Sequence, residues 1–325
     1  MEKLKKKQPI SSLKEGDNVL DIFVVKIKKP VTKYSRGFFF SLILSDSSGG
    51  SIEYKYWGGE QEEKVREIFN SISADSVVLI HGKVSSYNNR LDISADASQA
   101  IKVLTPDQYE AEFIPGERRD MDEMLKAFEE KLESIADDNI KKFMHSIFDD
   151  EIKKKFKEHP GAIQIHHAWK GGLIQHVLEV IEYCEVAVRV NPSLSRDLLI
   201  VGAALHDIGK LEDLEVTSRI KGSRKGQLIG HLALGLISLG EKLKEDTGLD
   251  GLTKEKILHL VVSHHGKKEY GSPLEPMLPE AVVLSFADDL SCKLTEIMEF
   301  IDENKEVTED DFMFNYKHKK NILLR

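Results

Sequence analysis

One change in hydrophobic rhythm constrains this chain more than any other feature. Up to about residue 104 apolar side chains alternate with polar ones. From about residue 107 they recur every three or four positions. Alternation is the pattern of a half-buried strand, and a 3.6-residue recurrence is that of an amphipathic helix. The chain must therefore build an all-β part and then an all-α part. Its 325 residues suit two domains.

In the front part, Phe38, Phe40, Leu42 and Leu44 share one face of residues 37–46. Asp46 to Gly50 form a turn, and Ile52, Tyr54 and Tyr56 share one face of residues 51–57. Together these segments predict a hairpin. Residues 19–27 and 77–84 read as further strands, and residues 91–93 start a return strand after the polar turn 85–90. A short helix is expected at 60–69. Five short strands with a helix after the third is the element order of an OB-fold barrel. Behind it, Met121, Met124, Leu125, Phe128, Leu132 and Ile135 recur at helical spacing, as do Ile140, Phe143, Met144 and Ile147. Further helices are expected at 173–190, 194–206, 229–241, 254–263 and 281–300, and no strand signal follows Val103. The domains expected are an OB-fold nucleic-acid-binding domain over 1–105, a helical linker over 106–150 and a helical domain over 151–325.

Charge follows the same division. Residues 1–105 carry 16 Lys and Arg against 13 Asp and Glu, and residues 106–325 carry 30 against 42. The net charge of −9 therefore belongs to the helical part and does not exclude a nucleic-acid partner for the front part. The longest clearly apolar run, Leu198 to Leu205, is far short of the ~20 residues that span a membrane. The basic start MEKLKKKQPI is followed by no apolar stretch, so no secretory signal is expected. Two cysteines, Cys184 and Cys292, form no CxxC and imply no disulfide framework, which fits the cytoplasm.

Ten of the twelve histidines lie between His145 and His265. His206-Asp207 is an adjacent pair at the end of an apolar helix, in Leu205-His-Asp-Ile-Gly-Lys210. Adjacent helical residues point about 100° apart, so both reach one point only near a helix end, which Gly209 is expected to supply. Imidazole with carboxylate suits Mn, Fe, Ni or Zn. Upstream stands His166-His-Ala-Trp-Lys-Gly-Gly-Leu-Ile-Gln-His176. Downstream come Gly230-His231, Ser263-His-His-Gly266 and Ala287-Asp-Asp-Leu290.

This order of His, His-Asp, His, His-His and Asp, each on its own helix, resembles the HD-domain phosphohydrolase superfamily over roughly residues 160–300. Pro160-Gly-Ala, His166-His-Ala-Trp, Gly171-Gly-Leu-Ile-Gln-His176 and His206-Asp-Ile-Gly-Lys210 further resemble its YhaM-type 3′→5′ exoribonuclease branch, in which an OB-fold precedes the HD domain. The resemblance implies that His176, His206, Asp207 and Asp288 are the basic ligand set, with His231, His264 and His265 added in two-metal members. It implies two divalent ions, Mn first, with Fe, Co, Ni or Zn as alternatives. One departure is Gln175, where family members usually carry Glu.

A carboxylate can span two metals and an imidazole cannot, so Asp207 is the expected bridge. His176, His206 and Asp288 would hold one ion and His231, His264 and His265 the other. Lys210 is expected to neutralise charge on the phosphoryl oxygens. His166 and His167 precede the site helix and either touch substrate or shape their loop. His259 carries no motif, and His81 and His145 are assigned no role. In the front domain Phe39, Lys55 and Trp57 face away from the core, and Tyr87 and Arg90 flank the 87–90 turn. These five are the candidate contacts to a single strand, through base stacking and phosphate pairing.

The function expected is a 3′→5′ exonuclease on single-stranded RNA or DNA that releases nucleoside 5′-monophosphates, with oligomeric state left open. Two rivals differ in kind. One is a small-nucleotide HD hydrolase whose OB domain serves assembly or regulation. The other is a non-catalytic nucleic-acid-binding protein with a structural metal, which seven candidate ligands disfavour because structural sites normally close at four.

Overall fold

The computed structural model describes residues 3–48, 50–87, 90–99, 101–110, 113–114, 119–163, 167–305 and 308–325. Internal contacts divide the chain into two units. One comprises Met1–Gly116 with Val216–Arg219, the other Glu117–Glu215 with Ile220–Arg325.

The first unit is an OB-fold. Its strands are β1 (Asn18–Tyr34), β2 (Gly37–Ser45), β3 (Ser51–Trp57), β4 (Val77–Tyr87), β5 (Arg90–Asp96) and β6 (Lys102–Leu104). Helix α1 (Glu62–Ser71) follows β3, as the pattern predicts. The sheet order is β1-β2-β3-β5-β4-β6, with β3 and β5 parallel, and β1 also pairs with β4. Strand β1 can serve two partners because it is long and bent. Val24 to Tyr34 pair with β2 and Asn18 to Val24 with β4. The β1–β2 register shifts between Val25 and Ile27 and again between Lys29 and Thr32, and Pro30, which has no N–H to donate, falls in the second shift. Phe40, Leu42, Leu44, Ile52, Tyr54 and Tyr56 are buried with Val19, Phe23, Val65 and Ile93 in one core, as alternation requires.

The second unit is helical. It contains α2 (Met121–Glu133), α3 (Asp138–Ile147), α4 (Asp150–Glu158), α5 (Gly172–Val190), α6 (Arg196–Leu205), α7 (Lys210–Asp213), α8 (Arg224–Ile229), α9 (His231–Lys242), α10 (Gly251–Ser263) and α11 (Pro279–Asn304). Local chemistry sets many of the starts. Asp120, Asp137, Asp149, Ser195, Ser223 and Asp250 each accept a hydrogen bond from a first-turn N–H. The apolar faces of α2 and α3, with Phe128, Leu132, Phe143 and Met144, share one core with Leu173, Val177, Leu205, Leu260 and Leu284. Residues 121–147 thus pack as part of the helical body.

The structure departs from the sequence pattern in its strands. Two small hairpins follow Val103: β7 (Leu214–Val216) with β8 (Ile220–Gly222), and β9 (Phe312–Asn315) with β10 (Lys320–Leu323). Strands of three or four residues are too short for alternation to stand out. Among the described residues no helix is long and apolar enough to cross a membrane.

Candidate metal centre

Five helices deliver the histidines and carboxylates to one place. His176 lies inside α5, His206 caps the C-terminus of α6, His231 starts α9, His264 caps α10, and Asp288 lies inside α11. The helix carrying the adjacent pair does not end through a left-handed glycine. Helix α6 ends at Leu205, and Gly209 has an ordinary helical φ of −64°. Gly209 is required for a different reason. A Cβ there would lie 2.0 Å from the His231 carbonyl oxygen, so only glycine lets the His-Asp turn approach the start of α9.

The side chains fall into two groups. Nε2 of His176 lies 3.1 Å from Nε2 of His206 and 3.2 Å from Oδ1 of Asp288. Nε2 of His231 lies 3.3 Å from Nε2 of His265. The ligand atoms of His176, His206 and Asp288 lie within 4.8 Å of one another, and so do those of His231, His264 and His265. Asp207 faces both groups with different oxygens. Its Oδ2 is 3.3 Å from His206 and 3.6 Å from His176, and its Oδ1 is 3.7 Å from His231 and 3.8 Å from His264. Lys210 Nζ sits 2.6 Å from Asp207 Oδ2.

Electrostatics prepares these groups to bind cations. Burial holds His176 and His231 down to about 4 and His264 well below the usual imidazole value, so all three are neutral at neutral pH. For His206 burial acts in the same direction, but the Asp207 carboxylate outweighs it and raises the imidazole. Burial alone would raise both carboxyls. Lys210 and His206 instead hold Asp207 well below the usual range, and His176 and His206 do the same for Asp288. Lys210 is raised by Asp207 against the opposing effect of burial.

The residues fit divalent cations. Asp207 Oδ1 and His264 Nε2 are buried and have no hydrogen-bond partner. Orphaned polar atoms of this kind are costly and rare in folded proteins. Here their lone pairs face one another, a repulsive arrangement that a cation between them would relieve. The imidazoles are also oriented from behind. Nδ1 of His206, His264 and His265 lies 2.8, 2.7 and 3.0 Å from the carbonyl oxygens of Ala203, Val261 and Tyr270. Donation to those carbonyls leaves each Nε2 lone pair free for a metal.

Other sequence candidates are placed as follows. His166 lies outside the described residues. His167 is buried, with Nε2 3.1 Å from Glu179 Oε2. His259 accepts a hydrogen bond from the Met277 backbone and lies outside both ligand groups. On the OB-fold, Phe39 and Trp57 are cross-strand partners with stacked rings 4.7 Å apart. Tyr34, which the sequence pattern did not single out, joins them 4.8 Å from Trp57. Trp57 and Tyr34 line a cleft of about 740 Å³ with Arg36, Asp96 and Ser98. Lys55, Tyr87 and Arg90 line a different cleft of about 870 Å³ with Lys29, Glu53 and Asp92. Lys55 is already paired with Asp92 at 2.5 Å, whereas Tyr87 is 72% exposed. Asn88 and Asn89, between Tyr87 and Arg90, lie outside the described residues.

A His-Asp turn, further histidines and an aspartate gathered from separate helices define an HD domain, here behind an OB-fold. Residues 173–292 match the HD domain family, a class of metal-dependent phosphohydrolases, and residues 24–103 match the OB-fold nucleic acid binding domain family. Over 267 residues the chain is 30% identical to the 3′-5′ exoribonuclease YhaM of Geobacillus sp. strain WCH70, covering 80% of this chain and 77% of that protein. Over 263 residues it is 30% identical to the 3′-5′ exoribonuclease YhaM of Bacillus subtilis strain 168, covering 79% of each. The chain belongs to the YhaM family of 3′-5′ exoribonucleases.

Proposed function

We propose that the chain is a metal-dependent exonuclease that shortens single-stranded RNA from its 3′ end and releases nucleoside 5′-monophosphates, with single-stranded DNA as a second substrate. The observation that carries this reading is the double facing of Asp207. Its Oδ2 points at the group of His176, His206 and Asp288, and its Oδ1 points at His231 and His264. Those two groups would each hold one ion, with Asp207 shared. Mixed imidazole and carboxylate donors suit manganese, with Fe, Co, Ni and Zn as alternatives. When bound, the ions would supply Lewis-acid charge and an activated water for phosphodiester hydrolysis.

The chain's own residues have separable tasks. The neutral imidazoles are ready to donate lone pairs without first losing a proton. Lys210, tethered to Asp207, would neutralise charge building on the phosphoryl oxygens. The half-buried aromatic cluster around Trp57 suits base stacking, and Arg90 and Lys55 suit phosphates. Lys55 must first exchange its Asp92 partner, so its contribution is the smaller. A cytoplasmic setting fits an RNA substrate and two free cysteines.

The test combines elemental analysis with a 5′-labelled single-stranded oligoribonucleotide. Stepwise shortening of the labelled strand, release of 5′-monophosphates and loss of both on metal removal are expected. Hydrolysis of free nucleotides with no shortening of the strand would overturn the reading.

A further inference from the structure

We propose that Glu179 and Ser291 are positioning residues that set how tightly the group of His176, His206 and Asp288 holds its ion, acting through the Nδ1 edge of His176. The inference rests on the metal-dependent reading above. His176 differs from the other oriented imidazoles. His206, His264 and His265 give their Nδ1 hydrogens to neutral main-chain carbonyls, whereas His176 Nδ1 lies 3.0 Å from the hydroxyl of Ser291. Ser291 is fully buried and donates its hydroxyl hydrogen to Glu179 Oε2 at 2.7 Å. A hydroxyl has one hydrogen to give. With that hydrogen committed to Glu179, Ser291 can only accept from His176. The His176 tautomer is thereby set, and its Nε2 lone pair faces the ligand group. A carboxylate behind the hydroxyl makes the ring a stronger donor than a carbonyl would.

Glu179 is held for this task. Gln175 Nε2 donates to its Oε1 at 2.9 Å, and His167 Nε2 lies 3.1 Å from its Oε2. Burial would raise the Glu179 carboxyl, but the contact with His167 and the other two donors hold it down to about 2, so it is charged. Trp169 Nε1 donates to Gln175 Oε1 at 3.3 Å, which turns the amide nitrogen toward Glu179. The departure at Gln175 thus acquires a physical reading. An ionised glutamate there would set a second negative charge beside Glu179 and remove a donor. Two helices and the segment just ahead of α5, which holds His167 and Trp169, carry the arrangement. Helix α5 bears Gln175, His176 and Glu179, and α11 bears Asp288 and Ser291.

The experiment is calorimetric titration of Mn²⁺ into chelator-stripped full-length protein, for the wild type, Ser291→Ala, Glu179→Gln and the double variant. One of two classes of site should weaken roughly 10- to 100-fold in each single variant, the usual range for removing such a supporting partner. The other class should be unchanged. The two residues act in series, so the double variant should be no weaker than Ser291→Ala. Melting of the metal-free Ser291→Ala protein should change little, which separates positioning from a role in folding, whereas Glu179→Gln also loses the carboxylate's own share of stability and is compared through its ion affinities alone. If Ser291→Ala fails to fold, the near-isosteric Glu179→Gln carries the same test. Wild-type affinity at both classes in Glu179→Gln, or equal weakening of both, overturns the proposal and leaves the nuclease reading standing. A wild-type protein that binds no Mn²⁺ overturns both.

Discussion

Replacing Asp207 by Asn removes one negative charge and almost no volume, and it separates two roles of this side chain. Asp207 is 2% exposed and holds the Lys210 ammonium at 2.6 Å. Removing one partner of a buried ion pair costs about 3–5 kcal/mol, because the other charge is left unpaired. The Lys210 side chain keeps 15% of its surface exposed, so the lower end applies, about 3 kcal/mol. In a domain of 150–250 residues each kcal/mol moves Tm by roughly 2–4 °C, which gives a fall of about 6–12 °C. Adding Lys210→Met removes the stranded ammonium and should restore most of that fall. Neither variant should retain ions or turnover, because the shared carboxylate is gone in both. Calorimetry of chelator-stripped protein and elemental analysis of untreated protein read the two roles separately. The sign with pH is set by the pair. Asp207 is lowered, so its share is present above the unfolded carboxyl value near 4 and lost as pH falls below it. Lys210 is raised, so its share is present below about 10.4 and lost at higher pH. Asp207 also raises the His206 imidazole, so the gap between wild type and Asp207→Asn should be widest below the unfolded imidazole value near 6.5, narrow as pH rises through the His206 titration, and then stay level to about pH 10. An unchanged Tm in Asp207→Asn would refute the electrostatic account, and substantial turnover would place the chemistry elsewhere.

Protein purified without chelator should contain close to two divalent ions per chain, and His231→Ala should lower that number; one ion, unchanged by the substitution, would leave only the group around His176. Trp57→Ala should weaken kcat/KM for a long single strand by about 5- to 150-fold, from stacking of roughly 1–3 kcal/mol per base. A dinucleotide should be cleaved almost as before, and equal losses on both substrates would mean that Trp57 supports the fold through Phe39, Tyr34 and its hydrogen bond to Ser94. Glu179 is held down to about 2, so its contribution to stability is present above about pH 4.3 and is lost as pH falls toward 2. The metal-free Glu179→Gln protein should lose less stability than wild type over that interval, and superimposable acid limbs in the two stability curves would contradict this.

The OB-fold was legible because each paired segment keeps one face dry. Phe40, Leu42 and Leu44 against Ile52, Tyr54 and Tyr56 is a pattern with one good solution, and α1 falls where it was expected. The small hairpins were not legible. Phe312–Asn315 has only four residues, and its phenylalanines are exposed, so no alternation against a core marks it. Gly209 shows a subtler limit. The sequence suggests a helix stop, whereas the constraint is the carbonyl of His231, 22 positions away in the chain and known only once α9 is packed.

The candidate site divides along the same line. A metal ligand must be His, Asp or another donor type, and on an apolar helix such a residue stands out against its neighbours. It is the resemblance of their order along the chain to the HD superfamily that singles out His176, His206, Asp207, His231, His264, His265 and Asp288 as candidate ligands before any fold is known. A residue that supports a ligand is under no such chemical restriction. Carbonyls of Ala203 and Val261 serve two of the imidazoles, and any side chain at those positions would bring the same oxygen. Ser291 and Glu179 are common residue types separated by 112 positions, and nothing in their local sequence connects them. Their relation exists only because α5 and α11 pack with His176 between them. The sequence therefore singles out the candidate ligands, whereas only packing shows which groups stand behind them.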